Sequence, residues 1–174
     1  TASISTLCVD FRFRQGARAI LLSVHWPDTW NHSTEVYNAE VEASFTLLAN
    51  ARAKPGRALV SLAGDFNIQL SSLHGSPAIG PYTWSTNDTA TERHLQVYSQ
   101  LTHHNLDVQN SYPLADEVKA WLANRGLPNP TDSWTHRRMY LGNTIRSQLD
   151  YVATSGWDSC FAMPIYSLDV GSDH

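Results

Sequence analysis

Cysteine is scarce: the 174 residues hold two, Cys8 and Cys160, each among apolar neighbours. Two are too few for a disulfide-stapled scaffold, and both read as buried thiols, in keeping with a reducing compartment. Charge is sparse at 16%, whereas apolar residues make up 42%, a composition that excludes a disordered chain. A basic excess is missing too. Lys and Arg number 12 against 16 Asp and Glu, for a net charge of −4 and an isoelectric point near 6.0, which is not the footprint of a typical nucleic-acid binder. That balance leaves the substrate open, because carboxylates in an active site lower net charge whatever they act on. The arginines cluster early, at Arg12, Arg14 and Arg18, and late, at Arg137, Arg138 and Arg146. No apolar run approaches the length of a membrane span, no signal peptide is recognisable, and no repeat or low-complexity tract occurs. The length suits a single domain, residues 1–174, with a core of its own.

The most informative segment present is Gly64-Asp65-Phe66-Asn67, which follows the apolar run from Ala58 to Ala63. It reads as a buried strand delivering a carboxylate and a carboxamide to its C-terminal end. Asp65 and Asn67 are two apart, so on an extended backbone they point the same way. Gly64 removes a side chain where something must approach the backbone closely. A carboxylate can hold a divalent metal or orient a water, and an amide can bind a phosphate oxygen without repelling it. The plainer alternative is a strand running into an Asx turn.

Other segments set this one in context. Residues 7–14 and 18–25 read as strands joined at Gln15-Gly16-Ala17, the second ending at His25-Trp26-Pro27. Asn31, Ser33 or Thr34 can cap a helix with Tyr37, Val41, Phe45 and Leu48 on one face, stopped by Pro55-Gly56. With the Asp65 strand this makes a strand–helix–strand crossover. A loop without periodicity, residues 71–89, precedes a helix marked by Leu95, Tyr98 and Leu101, a short strand Leu106-Asp107-Val108, and a third helix with Leu114, Val118, Trp121 and Leu122 ending at Gly126. Residues 131–138 and 144–154 read as a hairpin around Tyr140-Leu141-Gly142-Asn143, and Ser172-Asp173-His174 closes the chain.

Taken in order, His25 after a strand, Gly64-Asp65-Phe66-Asn67, Arg146-Ser147-Gln148-Leu149-Asp150-Tyr151-Val152 and Ser172-Asp173-His174 resemble the endonuclease/exonuclease/phosphatase superfamily of metal-dependent phosphodiesterases. The text between them, Ile79-Gly80 to Asn87, the helix around Leu95, Asn105-Leu106-Asp107 and Trp134-Thr135, is most similar to the endonuclease domains of non-LTR retrotransposons. The resemblance runs from about Ala19 to His174. It implies an α/β fold, a two-sheet sandwich of mainly antiparallel strands flanked by helices, the four-layer deoxyribonuclease-like arrangement, with the site at strand ends. It also implies that strands carrying a phosphate-binding Asn and a metal-ligating Glu precede Thr1, so that the chain, which opens mid-pattern without Met, is an incomplete domain. Taken alone, such a segment is expected to fold poorly, to leave apolar sheet surface in water and to hold Mg²⁺ weakly.

The same resemblance assigns roles. Asp65 orients or deprotonates the attacking water and, with Asp173, faces the metal. Asn67 holds a phosphate oxygen, His174 contacts the scissile phosphate, Asp150 orients His174, and His25 stands beside the phosphate. Oxygen donors without thiolates imply Mg²⁺ or Mn²⁺. The expected activity is phosphodiester hydrolysis, as a retrotransposon-type DNA endonuclease, with DNA as partner, no membrane, no obligate protein partner, and an intracellular location, the nucleus included. A phosphatase or sphingomyelinase-like esterase, and an inactive fragment or binding module, are the alternatives. Each residue keeps a plainer reading: His25 as a strand-end polar group, Asp150 as a structural acid paired with Arg146 or Arg137, His174 as a loose chain end, and Trp134 as core. His32, His74, His94, His103, His104 and His136 show no zinc spacing and read as surface.

Overall fold

The computed structural model describes residues 5–14, 16–28, 30–83, 85, 88–127, 135–157 and 162. Strands β1 (Thr6–Arg12) and β2 (Arg18–His25) form a hairpin at one edge of a five-stranded sheet. Helix α1 (Thr34–Arg52) then crosses over to β3 (Ala58–Asp65), which pairs parallel to β2. After α2 (Glu92–His103) the short strand β4 (Asp107–Val108) occupies the far edge. Helix α3 (Asp116–Ala123) leads to the hairpin β5 (His136–Tyr140) and β6 (Asn143–Ser147), a second, two-stranded sheet, and β7 (Asp150–Ser155) returns to the first. The order is β1-β2-β3-β7-β4, with β2–β3 the parallel pair and the others antiparallel. The fold is mixed α/β with two sheets and helices, as the sequence implies.

Alternation decides which face is buried. Along β2, Ile20, Leu22 and Val24 face the helices, joined by Val60 and Leu62 of β3 and Tyr151 and Ala153 of β7, all at most 4% exposed. Helix α1 lays Tyr37, Val41, Phe45 and Leu48 on them, the face its 3.6-residue period predicts, with Ser33 as the N-cap. The opposite sheet face carries Leu7, Val9, Phe11 and Leu21, which are 37–61% exposed.

Three elements differ from the sequence reading. Residues 144–154 are not one strand: β6 ends at Ser147 and β7 starts at Asp150 in the other sheet. The break at Gln148-Leu149 is held by the buried Gln148 amide, which donates to the Asn110 carbonyl (3.1 Å). In α2 the buried stripe is His94, Val97, Tyr98 and Leu101, and Leu95 lies outside it, 59% exposed. In α3 only Leu122 is buried; Trp121 sits at the surface with the Arg125 guanidinium 4.1 Å from its ring centre.

Candidate active site

The register brings three of the sequence-predicted residues into one row. His25 of β2 is the ladder partner of Asp65 on β3, and Asp65 is the partner of Asp150 on β7. Residues directly paired across a ladder share a sheet face, and strands stand ~4.8 Å apart, so the row spans roughly 10 Å between the outer Cα atoms. Asp65 and Asp150 do not exchange ladder hydrogen bonds. The Asp65 carbonyl accepts from Trp26 N–H (2.9 Å), and Asp150 N–H donates to Thr135 Oγ1 (2.9 Å). This is the kind of antiparallel pair in which side chains stand closest. Asp65 is buried, Asp150 half-buried and His25 exposed. Arg137 and Arg146 face one another in the β5–β6 ladder, a different sheet from Asp150.

Gly64 is required for a reason other than ligand access. Its φ is +139°, and a Cβ built there would stand 1.9 Å from the Val24 carbonyl oxygen. The close approach is made by β2 itself.

Asn67 corrects the sequence reading. The strand ends at Asp65, and Asn67 has φ +49°, so a turn and not strand alternation sets its direction. The Asx turn weighed as the plainer reading is present: Asn67 N–H donates to Asp65 Oδ1 (2.8 Å). The Asn67 amide in turn donates to the Trp26 carbonyl (2.7 Å), tying the end of β2 to the loop after β3. Trp26 is fully buried against Phe66, with ring centres 4.3 Å apart, and its indole donates to Ser44 Oγ (2.9 Å).

Side chains that sequence reasoning missed hold the loop from Phe66 to Ser71. Tyr37 of α1 donates to the Phe66 carbonyl (2.8 Å), Tyr151 of β7 accepts from Leu70 N–H (2.8 Å), and Tyr98 of α2 accepts from Ser71 N–H (3.0 Å). Burial keeps all three phenols protonated: Tyr98 is pushed up to about 12, and Tyr37 and Tyr151 are raised well above the ordinary phenol value. The signal was three tyrosines on apolar stripes, each needing a buried partner for its hydroxyl. Asp150 is fixed likewise. Thr135 Oγ1 also accepts from Leu149 N–H (3.0 Å), and the Asn110 amide bridges β7, donating to the Asp150 carbonyl (2.9 Å) and accepting from Val152 N–H (3.1 Å).

His94 and His104, read as surface residues, are buried, each 8% exposed. His94 falls on the inner stripe of α2, and its partners decide its tautomer. Thr91 N–H donates to Nδ1 (3.0 Å), and Nε2–H donates to the Gln69 carbonyl (3.0 Å). Burial lowers its pKa and that of His104. Cys8 packs half-buried against the core, whereas Cys160 lies outside the described residues. So do Trp134, Asn87, Asp173 and His174, two of which carry assigned roles at the site.

A cleft of about 580 Å³ opens beside Asn67, between the loop after β3, the start of α2 and the β5–β6 hairpin. Among the described residues no group of three or more His, Cys, Asp and Glu side chains could hold a metal ion, and no helix is long and apolar enough to cross a membrane.

No protein-family model and no curated protein matches the chain. Solved structures with a loose likeness include beta toxin from Staphylococcus aureus (10% identity, 86% of this chain and 56% of that one, TM-score 0.35) and SmcL (12%, 84% and 56%, TM-score 0.35). Sphingomyelinase C from Streptomyces griseocarneus is another (13% identity, 86% and 56%, TM-score 0.35). The chain thus spans little more than half the length of these structures. At that TM-score the likeness carries no argument, and the α/β assignment rests on the sheet order and register of this chain.

Proposed function

We propose that the chain hydrolyses phosphodiesters at the row formed by His25, Asp65 and Asp150, with a hard divalent cation as cofactor. The observation that supports this reading is the placement of two carboxylates at directly opposed positions of one ladder, with a histidine next in the same row. Like charges so placed repel, and a bound cation or a shared proton offsets the repulsion. Oxygen donors without a thiolate suit Mg²⁺ or Mn²⁺, and Mg²⁺ is commonly held by one or two carboxylates, with water and substrate oxygens completing its shell. Asp65 and Asp150 would hold it as part of such a shell, and Asp173 is the further acid that the family resemblance assigns. When bound, the cation would offset charge on the phosphorus oxygens.

The protein's own groups do the rest. Asp65, anchored through Oδ1, orients the attacking water and receives its proton. The Asn67 amide has two N–H bonds; one is committed to Trp26, and the second donates to a phosphate oxygen. His25 contacts the phosphate from the end of β2. Asp150 is held by Thr135 and Asn110, and the family resemblance assigns it to orient His174, which lies outside the described residues.

The reaction class is tested with bis(p-nitrophenyl) phosphate, supercoiled plasmid DNA and sphingomyelin in Mg²⁺ and in EDTA. Plasmid nicking would favour the retrotransposon-type endonuclease. Sphingomyelin is included because a sphingomyelinase-like esterase is the alternative that the sequence resemblance leaves open. Mg²⁺-dependent turnover of at least one substrate is expected. Turnover that survives EDTA, or none on any of the three, overturns the reading.

A further inference from the structure

We infer that the cleft beside Asn67 is a subsite for a second phosphoryl group of the substrate, recognised by Arg93; this rests on the phosphodiesterase reading in placing the first phosphate at Asn67. The charge of the cleft wall is the leading observation. The chain carries 16 acids and a net charge of −4, and two carboxylates stand next door at Asp65 and Asp150. Among the described residues that line the cleft none is acidic, while Arg93, His94 and His136 all line it.

Arg93 is the fixed cation among them. Its Nη2 donates to the His32 carbonyl (2.7 Å), Nε donates to Thr34 Oγ1 (3.3 Å), and the guanidinium lies 5.2 Å from the centre of the Tyr37 ring. These partners hold the group in place and are uncharged, although the exposed Glu35 carboxylate also feels the Arg93 charge. Its Nη1 is buried and makes no hydrogen bond. A buried donor without a partner is rare in folded proteins and marks a place for a group not yet present. The planar guanidinium matches the geometry of a phosphoryl group, which can take two parallel N–H bonds. His94 adds no charge, because both its ring nitrogens are committed in the neutral form.

Asn67 and Arg93 line one continuous space. A phosphate at Asn67 and a second at Arg93 can therefore belong to one molecule. The second could be the neighbouring phosphate of a polynucleotide or the other phosphate of a small bisphosphate.

Calorimetric titration in Ca²⁺ tests this without relying on turnover. Thymidine 3′,5′-bisphosphate is compared with thymidine 5′-monophosphate, and a thymidine hexanucleotide with its counterpart bearing alternate neutral methylphosphonates. The wild-type chain should favour the more highly charged member of at least one pair by about tenfold, the scale of one charge-assisted hydrogen bond. A preference confined to the hexanucleotide pair identifies a polynucleotide substrate, and one confined to the small pair a free bisphosphate. Arg93→Gln should bring the ratio close to one. Because Arg93→Gln also loses the ties to His32 and Thr34, Gln69→Glu is the second variant. It places a negative charge in the cleft wall, leaves the main-chain partner of His94 intact, and should lower the ratio as well. Absence of a preference in both pairs, no binding of any ligand, or a ratio unmoved by both variants overturns the inference. A preference without hydrolysis of any diester would leave the subsite standing and remove the catalytic reading; hydrolysis without a preference would do the reverse.

Discussion

The two ends of the five-stranded sheet follow opposite electrostatic plans. Where β2 begins, Arg18 is buried and pairs with Asp10 of β1 at 3.1 Å. Its guanidinium also donates to the carbonyls of Ala51 (2.8 Å), Lys54 (2.7 Å), Pro55 (3.3 Å) and Gly56 (3.1 Å), at the end of α1 and in the turn after it. Lys54 adds a second cation 3.1 Å from Asp10. Hydrogen bonds from Arg18 and then Lys54 hold the Asp10 carboxyl below its ordinary range. Where β2 ends, Asp65 and Asp150 stand side by side, beside a cleft whose described lining holds no acid. At the first end the charges are matched, and the arrangement serves stability. At the second two acids are gathered in one row, and the arrangement is the one on which the proposed hydrolysis rests.

Substitution at each end should separate the two plans, and the largest effect is on rate. Asp65→Asn should lose on the order of 10²–10⁴-fold in Mg²⁺-dependent hydrolysis, the usual contribution of a positioned base. Its melting temperature should hold or rise, because the repulsion with Asp150 is relieved and the new carbonyl oxygen can still accept the Asn67 N–H. Arg18→Met should act the other way. It strands Asp10 with Lys54 alone and takes a charged donor from four carbonyls, so urea unfolding should show a loss of about 3–5 kcal/mol, with the rate per folded molecule kept. Equal destabilisation by the two substitutions would erase the contrast.

The stable end and the strands were more legible in the sequence than the site. Tyr37, Val41, Phe45 and Leu48 announce the buried face of α1 because a helix has to bury one stripe, and Ile20, Leu22 and Val24 do the same for β2 with a period of two. The order of motifs placed His25 and Asp65 at strand ends and Asp150 inside a strand read over 144–154, but their alignment in one row depends on long-range register, which no local pattern encodes. Asn67 was misjudged because alternation was extended through a residue that adopts positive φ, where the Asx turn at Asp65 takes over from the strand. His94 was misjudged by polarity: its place on the α2 stripe outweighed it, since Thr91 and Gln69 satisfy both ring nitrogens. The strand break at Gln148 was invisible because the alternating pattern of residues 144–154 carries on across it while the chain changes sheets.

A smaller effect should come from the tyrosines that pin the loop between these regions. Tyr151→Phe removes the acceptor of Leu70 N–H and the donor to the Gln148 carbonyl (2.7 Å), both buried. An unsatisfied buried group costs about 1–3 kcal/mol, so unfolding should register a loss of that size. If the hydroxyl also positions Asn67, kcat should fall more than KM rises. A stability loss with unchanged kcat would place Tyr151 with Arg18 as a purely structural residue.

The smallest effect is on pH dependence, and it distinguishes the two regions by window. His94 and His104 both have pKa values lowered, first by burial; His74 adds to the effect at the former, and Arg52 and His103 at the latter, while the Gln69 contact of His94 opposes it. The unfolded chain therefore takes up protons more readily than the folded one. Stability from these two residues is fully present above the ordinary histidine value of about 6.5 and is lost as pH falls through the lower folded-state values, with a slope of at most ~1.4 kcal/mol per pH unit for each proton. The Asp10 carboxyl is lowered as well, but for an acid that stability persists until pH drops below the ordinary carboxylate value near 3.8. Urea unfolding between pH 7.5 and 5 should thus weaken before the Arg18–Asp10 end is touched. Protonation of His94 at Nδ1 would break its bond from Thr91 N–H at the start of α2, so hydrogen exchange at residues 91–94 should rise first. His94→Gln can keep the donor to the Gln69 carbonyl without titrating and should flatten the slope. An unchanged slope in that variant would assign the acid sensitivity to His104 and to the α1–α2 contact, where His104 stacks on Phe45 at 5.2 Å.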